Sequence, residues 1–235
     1  MAVRALTTAM KCLETLEMIA DLPSAARLAE LARLAGESRA TMYQRLFTLV
    51  EAGWIDRLPD DRYRLSMRAS RIAAAALAQA GFGERVQPLL EDLAGELDDT
   101  VSLVMLEQER LIITQRAEGQ GVLRADLRVG TELSYVDSSS GAIWLAFGPQ
   151  GLSERLKAAG ISLPSRRKVD KVRIDRVAIG GGGKTLPGIS AIAVPVIDQR
   201  GACLASLSIS SPDVRFKPKV FLPALRRAAE RLANV

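Results

Sequence analysis

Between residues 28 and 50 the chain carries two short apolar stripes at helical spacing, separated by a glycine. Leu28, Leu31 and Leu34, with Ala32 and Ala35 beside them, share one face of a helix that Ser24 is placed to cap. Gly36 breaks that pattern, and a second helix begins at Ser38, in which Met42, Leu46 and Leu49 fall at i, i+4 and i+7. Those three pack inward, which turns Arg39, Thr41, Tyr43, Gln44 and Arg45 largely outward. Residues 53–58 and 62–65 are strand-like runs around a Pro59-Asp60-Asp61 turn, and Arg57, Arg62 and Arg64 make this hairpin basic. Helix, tight turn, polar helix and basic hairpin, in that order, predict a winged helix-turn-helix whose second helix reads DNA. The same elements would also serve packing alone, but their order is the one docking needs.

The rest of the chain reads as follows. Residues 4–20 form a first helix with Leu6, Met10, Leu13, Leu16 or Glu17, and Ala20 near helical spacing, ended by Asp21-Leu22-Pro23. Ser66 caps an alanine-rich helix over 67–80, ended by Gly81-Phe82-Gly83, whose small face is free to pack on another element, a second copy being one candidate. A helix over 84–97 follows, with Val86, Leu89, Leu90, Leu93 and Leu97 as its stripe. Strands are predicted over 100–106, 110–115, 122–127, 132–136, 189–197 and 202–210. Short helices cover 141–147 and 153–159, and a closing helix covers 221–232 with Pro223 in its first turn. Residues 161–179 alternate basic residues with valines and predict no definite element, and Gly180 to Gly183 read as a flexible loop. This order predicts an α+β sensor domain with one antiparallel sheet. The domains are then 1–66 (winged helix), 67–82 (linker helix) and 83–235 (sensor).

Composition narrows the chemistry. The chain's 235 residues suffice for two small cores, and 48% hydrophobic with 25% charged residues describes an ordinary soluble protein. The net charge of +5 suits a polyanionic partner without requiring one. Histidine is absent, which excludes His-based triads, His general bases and His-liganded metals. Cys12 and Cys203 form no CxxC pair and read as buried thiols in a reducing compartment. No catalytic set, metal or cofactor is expected. No apolar run approaches the roughly 20 residues a membrane span needs and no signal segment is seen, so the expected location is the cytoplasm, with no membrane partner.

Candidate binding residues follow from these elements. Ser38 caps the second helix and, at its N-terminus, is also placed to meet a phosphate. Arg39, Thr41, Tyr43, Gln44, Arg45 and Arg62 are candidates for base edges or phosphates, glutamine favouring adenine and arginine guanine. In the sensor half, Ser206, Ser208 and Ser210 share one strand face and Leu207 and Ile209 the other. That serine face is either solvent-facing or part of a pocket. Ser138, Ser139 and Ser140 bring hydroxyls and amides to the start of a helix, a natural anion site, and Leu123 and Leu133 offer apolar walls. Residues 178–185 read A-x-x-x-x-G-K-T, close to a P-loop, but Pro187 and Gly188 deny the helix such a loop requires. A nucleotide-binding protein using this glycine loop is the alternative function. A partner-binding protein whose wing no longer contacts DNA is a third.

Several segments in order and spacing resemble the IclR family of bacterial transcription regulators over nearly the whole chain. They are 4–6, 28–32 with 38–43, 51–55, 138–146, 187–196 and 207–210. The resemblance implies a winged helix, a linker helix and a GAF-like effector-binding domain. It also implies dimers or dimers of dimers on operator double-stranded DNA, responding to a small carboxylate or aromatic acid. It assigns Ser208 and Ser210 to the effector pocket and adds Gly181, where pocket-lining acids occur, and Ala191, where cysteine can occur. Gln44 departs from an arginine common at that point, with Arg45 beside it.

Overall fold

Leu31, Met42 and Leu46, taken from the two helical stripes, meet with no solvent exposure at all. The computed structural model describes residues 4–79, 86–120, 127–182 and 186–233, and the chain divides into two units, 1–80 and 81–235. The first unit contains α1 (Thr7–Ala20), β1 (Ala26–Arg27), α2 (Leu28–Leu34), α3 (Arg39–Glu51), β2 (Ile55–Arg57), β3 (Arg62–Leu65) and α4 (Arg68–Gln79). Gly36, at φ 65°, turns the chain from α2 towards α3, where the Ser38 hydroxyl accepts the Thr41 amide at 3.1 Å. Ile19, Leu49, Ile55 and Tyr63 complete the core with the three residues above. Each such side chain contributes about 1.5–3 kcal/mol on burial, so the winged helix rests on this cluster.

Three expectations for this unit are corrected. Ser24 does not cap α2, because Ala26 and Arg27 pair with Tyr63 and Arg62 and the chain enters the helix from a strand. Leu34 is 46% exposed, at the last position of α2. In α1 the buried residues are Thr15 and Ile19, while Leu6, Met10 and Leu13 stay exposed. This helix is apolar on two sides and only one can face the core. Thr15 tolerates burial because its hydroxyl donates to the Lys11 carbonyl at 2.8 Å and accepts from Arg45.

The second unit has the α+β class expected of it. It contains α5 (Val86–Leu97), β4 (Thr100–Glu107), β5 (Arg110–Ala117), β6 (Glu132–Leu133), α6 (Ser139–Phe147), α7 (Leu152–Ala158), α8 (Arg166–Asp175), β7 (Ala178–Gly182), β8 (Leu186–Ile197), β9 (Cys203–Pro212) and α9 (Pro218–Leu232). Six antiparallel strands lie in the order β6-β5-β4-β9-β8-β7. Leu207 and Ile209 point to one face, into a core shared with Leu90 and Leu93 of α5 and Phe221 and Leu225 of α9. The opposite face carries α6, whose residues 139–145 are all buried.

Here too the structure differs from the reading. Residues 166–175 are helical because Ser165 caps them at the Lys168 amide and Val172 packs against Ile143 and Ala142 of α6. The glycine run is strand through Gly182, held in register with β8. A strand from Leu186 replaces the helix a P-loop needs, so the phosphate-loop alternative has no support. The strand at 132–136 stops at Leu133, where Ser134 starts a turn by accepting the amides of Val136 and Asp137. Pro223 lies inside α9, which begins five residues before it, rather than in its first turn. Cys12 and Cys203 are half-buried free thiols. The predicted strand over 122–127 and the 81–83 helix end fall almost wholly outside the described residues, and Leu127 is buried but not in a strand. Among the described residues no helix is long and apolar enough to cross a membrane.

Burial pushes the Cys203 thiol up to about 12 and, with Glu109 and Glu132 adding to it, pushes the Tyr135 hydroxyl up to about 12. A pKa raised by folding means the native state holds that proton more tightly. Its stabilisation is full below the unfolded value and is lost as pH rises through the folded one. Stability is therefore expected to fall from about pH 9 towards pH 12. Urea midpoints across that range check this, and a Cys203→Ala/Tyr135→Phe variant should flatten the decline.

Candidate functional site

Two surfaces gather the candidate residues, one in each unit. On α3, Met42, Leu46 and Leu49 anchor the helix from below and present Arg39, Thr41, Tyr43 and Gln44 to solvent. Ser38 and Thr41 share their hydroxyls at 2.9 Å, so the cap also orients the first polar residue of the face. Phe47, one turn beyond Tyr43, is 55% exposed on the same face. Sequence reading passed over it, although Met42, Leu46 and Leu49 already fill the inward stripe and leave Phe47 no place there.

Arg45 is corrected. Its side chain is only 10% exposed, with Nη2 2.7 Å from Glu37 Oε2 and Nη1 donating to Thr15 at 3.2 Å. It ties α3 to α1 and to the α2–α3 turn instead of facing outward. The wing is corrected as well, because its arginines do not make it basic. Arg57 pairs with Asp61 at 2.6 Å, Arg62 with Asp60 at 2.7 Å and Arg64 with Asp56 at 3.4 Å. These pairs are exposed and each is worth at most about 1 kcal/mol. A DNA phosphate would compete for Arg62 at little cost.

The second surface is a cavity with about 670 Å³ of open space, counting its mouth. It lies between the sheet, the loop leading into α6 and the start of α6 itself. Leu133, Ser139, Ser140, Gly181, Ala191, Ser208 and Ser210 all line it, brought together from β6, α6, β7, β8 and β9. Leu123 lies outside the described residues. The serine face of β9 is thus turned inward, with Ser206 donating to Ser140 at 3.1 Å and Ser208 to the Ser102 carbonyl at 3.3 Å.

The cavity's character follows from how α6 begins. Ser138 caps it by accepting the Gly141 amide at 2.9 Å and donates to the Ser134 carbonyl at 2.6 Å. A side chain at Gly141 would put its Cβ 2.7 Å from Tyr135 Cα, so only glycine lets the loop press this closely on the helix. The amides of Ser139 and Ser140 have no acceptor within the helix, by helix geometry, and both residues face the cavity. Ser102, opposite Ser208 across β4–β9, is buried and its hydroxyl is without a partner among the described residues. Ser102 was not among the sequence candidates, though it alternates with Thr100 along its strand as the β9 serines do along theirs. Apolar wall comes from Ile113, Leu127 and Ile189 as well as Leu133. The charged groups among the described lining are Glu132, bonded to Arg110 at 2.8 Å, and Asp137 at the loop.

A winged helix and an α+β domain with a serine-lined cavity, carried on one chain, define a DNA-binding transcription regulator. Residues 8–59 match the IclR helix-turn-helix domain, and residues 74–234 match the profile described as bacterial transcriptional regulator IclR C-terminal. The chain belongs to the IclR family.

Among its relatives, the DNA-binding transcriptional repressor YiaJ of Escherichia coli K12 is 26% identical over 237 residues, covering 93% of this chain and 84% of its own. The HTH-type transcriptional regulator BhcR of Paracoccus denitrificans is 28% identical over 217 residues, covering 87% of this chain and 77% of its own. The fold is similar to that of a transcriptional regulator from Alicyclobacillus acidocaldarius, with a TM-score of 0.83 and 22% identity over 98% of this chain and 99% of the other. It is also similar to an IclR homologue from Microbacterium hydrocarbonoxydans complexed with 4-hydroxybenzoate, with a TM-score of 0.82 and 20% identity over 97% and 98% of the two chains.

If Arg45 is a brace, Arg45→Ala should destabilise the winged helix by about 2 kcal/mol, the scale of a mostly buried charged hydrogen-bond partner left unmatched. A urea titration reads this, and an unchanged midpoint would refute the bracing role.

Proposed function

We propose that this regulator reads operator DNA through Ser38, Arg39, Thr41, Tyr43 and Gln44, with Arg62 reaching a phosphate from the wing. We further propose that it is controlled by a small organic acid held in the α6 cavity. The observation that carries the second part is the meeting of Leu133, Ser139, Ser140, Gly181, Ala191, Ser208 and Ser210 around one cavity at the start of a buried helix. In this reading the acid's carboxylate accepts from the amides and hydroxyls of Ser139 and Ser140 and from the Ser210 hydroxyl, and the Ser208 hydroxyl joins them by turning away from the Ser102 carbonyl. Such a site needs no cation, because a helix N-terminus carries about half a positive charge. Leu133, Gly181 and Ala191 shape the space for its apolar body. The fold neighbour that holds 4-hydroxybenzoate supports a ligand of this kind.

The regulator acts in this reading as a homodimer or dimer of dimers, in the cytoplasm, with no cofactor, metal or catalytic step. The exposed Met10 and Leu13 of α1 with Leu6 just before it, and Ile72 of α4 with Met67 just before it, support self-association. Under the proposed division into 1–66, 67–82 and 83–235, α4 is the linker helix. The bound acid would change the separation or angle of two winged helices and so their fit to paired half-sites.

Isothermal titration with a panel of small aliphatic and aromatic acids should give heat for at least one. Ser139→Ala and Ser210→Ala should each weaken that acid about tenfold, one hydrogen bond's worth. Silence from every acid would overturn the effector assignment. For DNA, Gln44→Ala should relax base choice at one operator position by about 1–3 kcal/mol. Operator selection from a random library reads this, and an unchanged consensus would exclude Gln44 from base contact.

A further inference from the structure

Eleven residues, 166–176, carry six cations and two carboxylates, and so account for a net +4 of the whole chain's +5. They form α8 and the residue after it, in the sensor unit rather than the winged helix. The inner side of α8 is occupied: Val172 is buried and Arg173 donates to the Ala146 carbonyl at 3.2 Å. Arg167, Lys168 and Lys171 lie three and four residues apart and therefore share the outer side. Arg167 and Lys168 are exposed and make no side-chain hydrogen bond or ion pair among the described residues. Lys171 is 79% exposed and holds Asp175 only loosely, at 3.3 Å. Arg166, 96% exposed, is 3.8 Å from Asp170. The first turn of α8 contains no acid, so its cations are not offset where the helix's own positive end adds to them.

We infer that this outer side of α8 is a second contact for duplex DNA, made to phosphates and independent of sequence. The charge concentration calls for a polyanion, and the partner of a DNA-binding regulator supplies one. Fixed rows of cations gain affinity by releasing the counterions condensed on DNA, without reading bases. The inference rests on the DNA-binding function and adds a sequence-independent contribution from a domain that carries no helix-turn-helix.

The test uses the full-length chain and a labelled 40-base-pair duplex of arbitrary sequence, titrated across a salt series. The triple variant Arg167→Gln/Lys168→Gln/Lys171→Gln should bind about tenfold more weakly near 0.1 M salt. Its slope of log K against log salt should shrink by about 2–3, at roughly 0.9 per phosphate contact. Swapping the charges conservatively, Arg167→Lys/Lys168→Arg, should keep both values. Equal slopes for the triple variant and the wild type would overturn the inference, as would the same loss in the conservative variant. So would lost binding to phosphatidylglycerol vesicles with duplex binding intact. An Arg39→Ala/Gln44→Ala variant separates the two claims. If it loses affinity while the α8 variant does not, the winged helix stands and this inference falls. If the wild type does not bind the arbitrary duplex, this inference falls while operator reading by the winged helix stands.

Discussion

The sensor unit depends on one constraint: α6 is buried along almost its whole length, and a buried helix must still satisfy its ends. Its side chains meet that burial with small and apolar residues, and Trp144 keeps its indole N–H satisfied by donating to the Val104 carbonyl at 3.2 Å. Its backbone ends are harder, since the first amides and last carbonyls of any helix lack partners within it. At the carboxyl end, Gly148 donates to the Trp144 carbonyl, and Arg173 and Arg176 of the α8 segment bring cations to the Ala146 carbonyl and the Phe147 ring. At the amino end, Ser138 satisfies one amide and the cavity lies in front of the next two. The serines of β9 face α6 because that end of the helix makes the sheet's inner surface polar.

Periodicity made the parts with a single environment legible. Met42, Leu46 and Leu49 could pack in only one direction, and strand alternation put Ser206, Ser208 and Ser210 on one side whatever lay beyond. Which of two possible neighbours an ambiguous residue chose was not legible. Whether the serine face met water or a cavity depended on α6, more than sixty residues away in the chain. The burial of Arg45 depended on Glu37 and Thr15, which no local pattern joins to it. The wing looks basic because its arginines stand out in the sequence, yet each has an aspartate within reach in the hairpin or its turn. In α1, two apolar faces competed, and the α2–α3 pair accepted the one containing a threonine.

The segment with no predicted element failed for a related reason. Residues 166–175 have poor helical credentials taken alone: cations dominate and the valines fall only at 169 and 172. What makes them helical is a cap at Ser165 and a tertiary contact at Val172, a case of packing overriding propensity. The glycine run became strand in the same way, because β8 offered it a ladder. A Cβ at Gly180 would lie 3.4 Å from the Ser139 amide nitrogen, so a bare backbone there keeps the approach to α6 open.

These contacts put α6 between the cavity and the cation-rich helix, and that arrangement has an electrostatic consequence. The helix dipole already has cations at its negative end, from Arg173 and Arg176, while at its positive end Ser138 accepts the Gly141 amide and Asp137 stands in the loop just before it. An acid entering the cavity would meet the amides of Ser139 and Ser140 at that end, and α8 is gripped to the same helix at the other. The Val172–Ile143 contact and the Arg173 hydrogen bond make α6 and α8 one packed unit, so any shift of α6 on ligand binding must be shared or resisted by α8. Coupling of this kind is reciprocal in free energy. If polyanion binding on α8 and acid binding at Ser139 favour different placements of α6, each weakens the other by the same factor. If they favour the same placement, each strengthens the other equally. Either sign would couple the cavity to the proposed α8 contact through α6.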